Sequence, residues 1–137
     1  MYRIGRGEEG VLSTEPYTSR LVALWRFRTA AEARKSVAAL LQRFKEYRDD
    51  GDFAGMDMVR KFLQMGVTRS RRYARHRSGR KYGPDRLELP LDPDPEKERS
   101  ALIFDVAWRR VRTDPVYLEA KERHKAAVQA RKRRSKP

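Results

Sequence analysis

Between Arg60 and Tyr82 the chain reads RKFLQMGVTRSRRYARHRSGRKY, nine Arg or Lys residues without one Asp or Glu. Nothing else in the sequence constrains folding as tightly. A helix wrapped in like charge repels itself unless an anion lies alongside, and the segment supplies no acid of its own. That anion is either a ligand or another part of the same protein. A second basic segment, from Lys121 to the C-terminus, carries eight Arg or Lys against the single acid Glu122, while the remaining chain holds 16 basic and 18 acidic residues. The formal charge of +14 is therefore local to two segments. Charge so concentrated is the footprint of a polyanion binder.

The rest of the composition limits what can be built around these segments. At 137 residues the chain suits one domain with a single core. Leu, Ile, Val and Phe supply only 27 of those residues, close to the compositional edge where high charge favours disorder, so a folded body over residues 1–120 with a basic extension over 121–137 is expected. The absence of Cys removes disulfides and thiolate chemistry, and two His residues leave little from which to assemble a soft metal site. Neither a cofactor nor a metal is expected. No apolar run approaches the ~20 residues of a membrane span, and no secretory leader pattern opens the chain, which together imply a cytoplasmic protein.

Periodicity predicts a mainly α protein, a compact bundle of four to five helices with a small N-terminal β element and a basic, partly flexible C-terminal helix. Tyr2–Ile4 and Val11–Ser13 flank GRGEEG and suit a short hairpin. The loop is no phosphate cradle, because Glu8 and Glu9 would repel phosphate and the Walker spacing is missing. PYTSRLVALWRF predicts a turn or two of helix running into an extended piece. Thr29 and Glu32 then form a capping box for a helix carrying Ala33, Val37, Leu40, Leu41, Phe44 and Tyr47 at helical spacing until Gly51.

Asp52 caps a second helix that is expected to end near Gly66, with Met56, Val59, Phe62 and Leu63 inward and Asp57, Arg60, Lys61 and Gln64 on a solvated back. Thr68 is read as the cap of a separate basic helix ended by Gly79, an arrangement that superficially resembles a helix-turn-helix. From Gly83 to Glu98 four prolines and six acids suggest an extended strap laying Leu87, Leu89 and Leu91 on the helices and offering counter-charge. Asp94-Pro95 and Asp114-Pro115 each read as a cap followed by a first-turn proline. The helix after Pro95, with Leu102, Ile103, Phe104, Val106, Ala107, Trp108 and Val111, presents the widest apolar arc and is expected to be the most buried. The last helix has little to pack beyond Tyr117, Leu118, Ala120, Ala127 and Val128.

YRIGRGEEGVL, EPYTSRL with LWRF, and GDFAGMDMVRKFLQMGVTRSRRYARHRSGRKY resemble the family catalogued as domain of unknown function 4385, found in bacteria and some phages. The likeness spans roughly residues 2–82. It implies a small autonomous domain whose signature includes the basic segment, and it brings no reaction, ligand or catalytic residue with it.

The function expected from the residues is nucleic-acid binding, DNA or RNA, mostly through phosphates. Arg69, Arg71, Arg72, Arg75, Arg77, Arg80 and Lys81 would neutralise the backbone, Tyr73 and Tyr82 would stack bases, and His76 lies among them. Arg131, Lys132, Arg133 and Arg134 would add a non-specific grip. So much Arg favours backbone contact over base readout. Two other classes stand beside this one: a module that docks on an acidic protein, and a small enzyme acting on a phosphate-bearing substrate with His76 as base. Surrounding guanidinium groups would keep that imidazole neutral. Asp92, Asp94, Glu96 and Glu98 form the only dense carboxylate group, and helix capping accounts for them better than a metal does.

Overall fold

The computed structural model describes residues 2–4, 8–76, 80, 82–89 and 93–135, with residues 8 and 9 described by backbone alone. Six helices follow in order: a single turn α1 (Glu8–Val11), then α2 (Tyr17–Val22), α3 (Ala30–Asp49), α4 (Phe53–Arg75), α5 (Pro95–Arg112) and α6 (Pro115–Arg134). Among the described residues there is no strand; an isolated antiparallel bridge joins Tyr82 and Glu88. The expected N-terminal hairpin is replaced by α1. Val11 is buried at the end of this turn, and Thr18 Oγ1 donates to its carbonyl at 2.5 Å, so the segment docks through a helical turn and not through strand pairing.

The caps are set as the sequence implies. Thr29 Oγ1 accepts from the Glu32 backbone N–H, Asp52 from that of Gly55, Asp94 from that of Glu96, and Asp114 from those of Val116 and Tyr117. Each satisfies a helix-start donor that would otherwise lack a partner. Gly51 closes α3 with φ 69°, a conformation that disfavours a side chain, and the chain turns straight into α4.

The largest departure from expectation is α4. It runs unbroken through Gly66 for 23 residues, about 34 Å. Thr68 starts no new helix, since its hydroxyl donates to the Gln64 carbonyl in the middle of α4. There is accordingly no helix-turn-helix here. Glycine inside a helix costs about 1 kcal/mol against alanine. A Cβ on Gly66, however, would lie 2.3 Å from Phe104 Cδ1, so the missing side chain is the space that the Phe104 ring of α5 occupies. Gly55 does the same for the ring of Tyr47 on α3.

Consequently α4, not α5, is the buried axis of the molecule, with α3 and α5 as its main neighbours and α2 and α6 at its sides. Met56, Met58, Val59, Phe62 and Leu63 are almost inaccessible, each contributing roughly 1.5–3 kcal/mol by burial. On α5, Leu102 and Val106 are exposed instead, because Phe104, Ala107 and Val111 face the core. The acidic strap does not lie down as alternation suggested either. Leu87 is 68% exposed, Leu89 is half-buried, and Leu91 is outside the described residues. No helix among the described residues is long and apolar enough to cross a membrane.

Candidate nucleic-acid interface

The acid-free segment divides at His76. Upstream, Arg69 to Arg75 form the last turns of α4; Arg77 and Lys81 lie outside the described residues. Arg71, Arg72 and Arg75 are exposed, while Arg69 is half-buried with its guanidinium 4.9 Å from the centre of the Trp25 ring. Among the described residues, carboxylates offset this charge only in part. Arg71 comes within 3.9 Å of Asp105, a carboxylate held more closely by Arg109 at 3.0 Å. Among the described residues no carboxylate lies within ion-pair distance of Arg72 or Arg75. Three of the strap's acids are occupied elsewhere: Asp85 accepts from the Leu87 N–H, Asp94 caps α5, and Glu96 accepts from the Ala30 N–H and pairs with Arg99, while Asp92 lies outside the described residues. The Ala30 N–H bond, foremost, and Arg99 hold the Glu96 carboxyl below its ordinary range.

Two expected contacts are altered by burial. His76 is 5% exposed, with Nδ1 enclosed and without a hydrogen-bond partner among the described residues, so its imidazole belongs to the interior of the helix end and is withdrawn from any surface ligand. Tyr73 is partly exposed, but Lys97 Nζ sits 5.7 Å from its ring centre. Tyr82 is 55% exposed and Arg80 also reaches solvent.

A second feature of the site had no sequence signature. Asp57, expected on a solvated back, is completely buried. Tyr2 Oη donates to its Oδ2 and Tyr117 Oη to its Oδ1, both at 2.6 Å; Arg60 Nε donates to Oδ1 at 2.8 Å, and Lys61 Nζ lies 3.4 Å from Oδ2. Burial pushes the Asp57 carboxyl up, but the Arg60 guanidinium and the hydroxyl bonds outweigh it and hold the group below its usual range. Burial is also what lowers Lys61, against the pull of Asp57. Both tyrosines are driven well above the ordinary phenol range, chiefly by burial and then by the neighbouring carboxylate. The result is a fixed, ionised knot in which one carboxylate faces two cations. It ties α4 to the N-terminal segment and to the start of α6.

Above this knot a cleft of about 1150 Å³ opens between α4 and α6. Arg60, Lys61, Gln64 and Thr68 line it from α4, and Arg3 from the N-terminal segment. Lys121, His124, Lys125, Arg131 and Lys132 line it from α6. Among the described residues no Asp or Glu lines it. His124 Nε2 donates to the Tyr2 carbonyl at 2.7 Å and its ring lies against Phe53. At ~100° per residue, Arg71 and Arg75 continue the Gln64–Thr68 stripe of α4. Of the sequence-predicted set, the cleft thus brings Arg131 and Lys132 beside the α4 stripe, with Arg133 and Arg134 exposed on the same last turn. Arg3, Arg60, Lys61, Lys121 and Lys125 were not singled out from sequence. The apolar neighbours on both sides of Asp57, Gly55 and Met56 before it and Met58 and Val59 after it, were the one available sign that this stretch of α4 is buried nearly all round.

No curated protein and no solved structure matches the chain. The family model described as Domain of unknown function (DUF4385) matches residues 1–127, which takes in α4, the buried knot and α6 as far as residue 127, and the protein belongs to that family.

Proposed function

We propose that the protein binds nucleic acid through backbone phosphates, using Arg71, Arg72 and Arg75 of α4 together with the cationic end of α6, Arg131 to Arg134. The observation that supports this reading is the shared cleft: Arg60 and Lys61 of one basic segment and Lys121, Lys125, Arg131 and Lys132 of the other line one surface with no carboxylate among its described lining residues, and Arg71 and Arg75 continue the same stripe of α4 beyond it. Self-neutralisation would have made a ligand superfluous, yet Arg72 and Arg75 lack acidic partners among the described residues. The ligand is read by charge more than by base identity, since Arg-rich surfaces grip phosphate and cations outnumber the two amides, Gln64 and Gln129, in the cleft lining. The enzymatic alternative weakens with the burial of His76.

Charge reversal of Arg71, Arg72 and Arg75 to Glu, with helicity checked by far-UV circular dichroism, tests the reading by fluorescence anisotropy. With six to ten phosphate contacts, wild-type affinity falls about 10³- to 10⁵-fold between 50 and 200 mM salt. The triple variant is expected to lose binding and flatten that slope. Unchanged affinity in a folded triple variant removes the proposal.

A further inference from the structure

We infer that the cleft between α4 and α6 is a track for a single strand of nucleic acid and is closed to duplex, an inference that rests on the nucleic-acid reading above. Its shape carries the argument first. Arg60 and Lys61 on the floor have side chains only 15% and 7% exposed, whereas Lys125 on the rim is 54% exposed. A duplex carries its phosphates on a convex cylinder and meets only such rim groups. A single strand can lower its phosphates one after another between the two helices. Reaching the floor with a duplex would require α6 to leave α4, breaking the Tyr117–Asp57 and His124–Tyr2 bonds.

Charge carries it second. Arg60 and Lys61 share Asp57 as their carboxylate, so the floor retains a net positive charge shielded from water, where a phosphate is attracted more strongly than at an exposed lysine. Size agrees. At 1150 Å³ the cleft exceeds the ~300–1,000 Å³ of most small-molecule sites, which suits an extended ligand. From Arg60 to Thr68 it follows α4 for about 12 Å. At ~3.4 Å per phosphate in a stacked strand, that length takes three or four phosphates. The Tyr2 ring is already packed against Phe53 and His124 and gives bases no free stacking face. The track therefore holds the strand by its phosphates and not by stacked bases.

The experiment compares a 12-nucleotide single strand, as DNA and as RNA, with a blunt duplex of the same length, for wild type, for the cleft variants K121E/K125E and K121Q/K125Q, and for the outer variant R72E/R75E. Wild type is expected to bind single strand at least ~10-fold more tightly than duplex near physiological salt. K121E/K125E should lose that preference, and the slope of log affinity against log salt for single strand should shrink by about 1.4, two phosphate contacts at ~0.7 each. K121Q/K125Q removes the same two contacts and should shrink the slope by a similar amount, with a smaller loss of affinity because it adds no repulsion. R72E/R75E should weaken both ligands together. Equal wild-type affinity for duplex and single strand, or equal weakening of both by K121E/K125E, overturns the track while leaving nucleic-acid binding standing. Binding to neither ligand at 50 mM salt overturns both.

Discussion

Replacing Asp57 with Asn keeps the shape of the side chain and removes its charge, leaving Arg60 and Lys61 facing each other beneath the cleft. Removing one partner of a buried ion pair costs about 3–5 kcal/mol. Little discount for solvent applies, because Asp57 is inaccessible and the two cationic side chains are 15% and 7% exposed. For 137 residues the unfolding entropy is about 0.29 kcal/mol/K, so this loss lowers Tm by about 10–17 °C. Urea unfolding followed by circular dichroism should show a lower midpoint with an unchanged m-value, which separates lost stability from a changed denatured state. Adding Lys61→Met to D57N removes the stranded ammonium and should recover at least ~1 kcal/mol, a non-additivity expected of groups in contact. If D57N lies within ~1 kcal/mol of wild type, or the two substitutions simply add, the knot contributes no coupled ion pairing and the account of α4 is wrong.

The same carboxylate sets a pH dependence. Its folded-state pKa is held below the unfolded value of ~3.9, so its contribution is present above about pH 4 and is lost as pH falls further. The stability gap between wild type and D57N should therefore narrow on acidification below pH 4; a constant gap refutes the ionised assignment. Gly66→Ala supplies a test by sign. In an open helix it would stabilise by about 1 kcal/mol, but a Cβ 2.3 Å from Phe104 Cδ1 predicts a net loss of roughly 1–3 kcal/mol. In a Phe104→Ala background the effect of Gly66→Ala should become neutral or favourable, and stabilisation in the wild-type background would contradict the packing of α4 on α5.

Much of the molecule was written locally. Thr29, Asp52, Asp94 and Asp114 each mark a helix start because capping is a contact between residues two or three apart, and Gly51 marks a stop because few other residues tolerate its backbone angle. Charge clustering is equally local, so both basic segments could be found by reading. What reading missed depended on partners far along the chain. Gly66 looked like a terminus because only the Phe104 ring, 38 positions later, explains a glycine inside a helix. Asp57 with Arg60 and Lys61 looked like a surface pair until Tyr2 and Tyr117, 55 and 60 positions away, enclosed it.

Sequence alone, then, determined the α class, the starts of α3 to α6 and the places where positive charge accumulates, since each follows from short-range backbone chemistry and counting. Tertiary structure alone decided which helix is central, which ionic groups are withdrawn from water, and that the two basic segments border a common cleft. Those outcomes arise from burial and from Coulomb interactions across space, which depend on separations that only the folded chain defines.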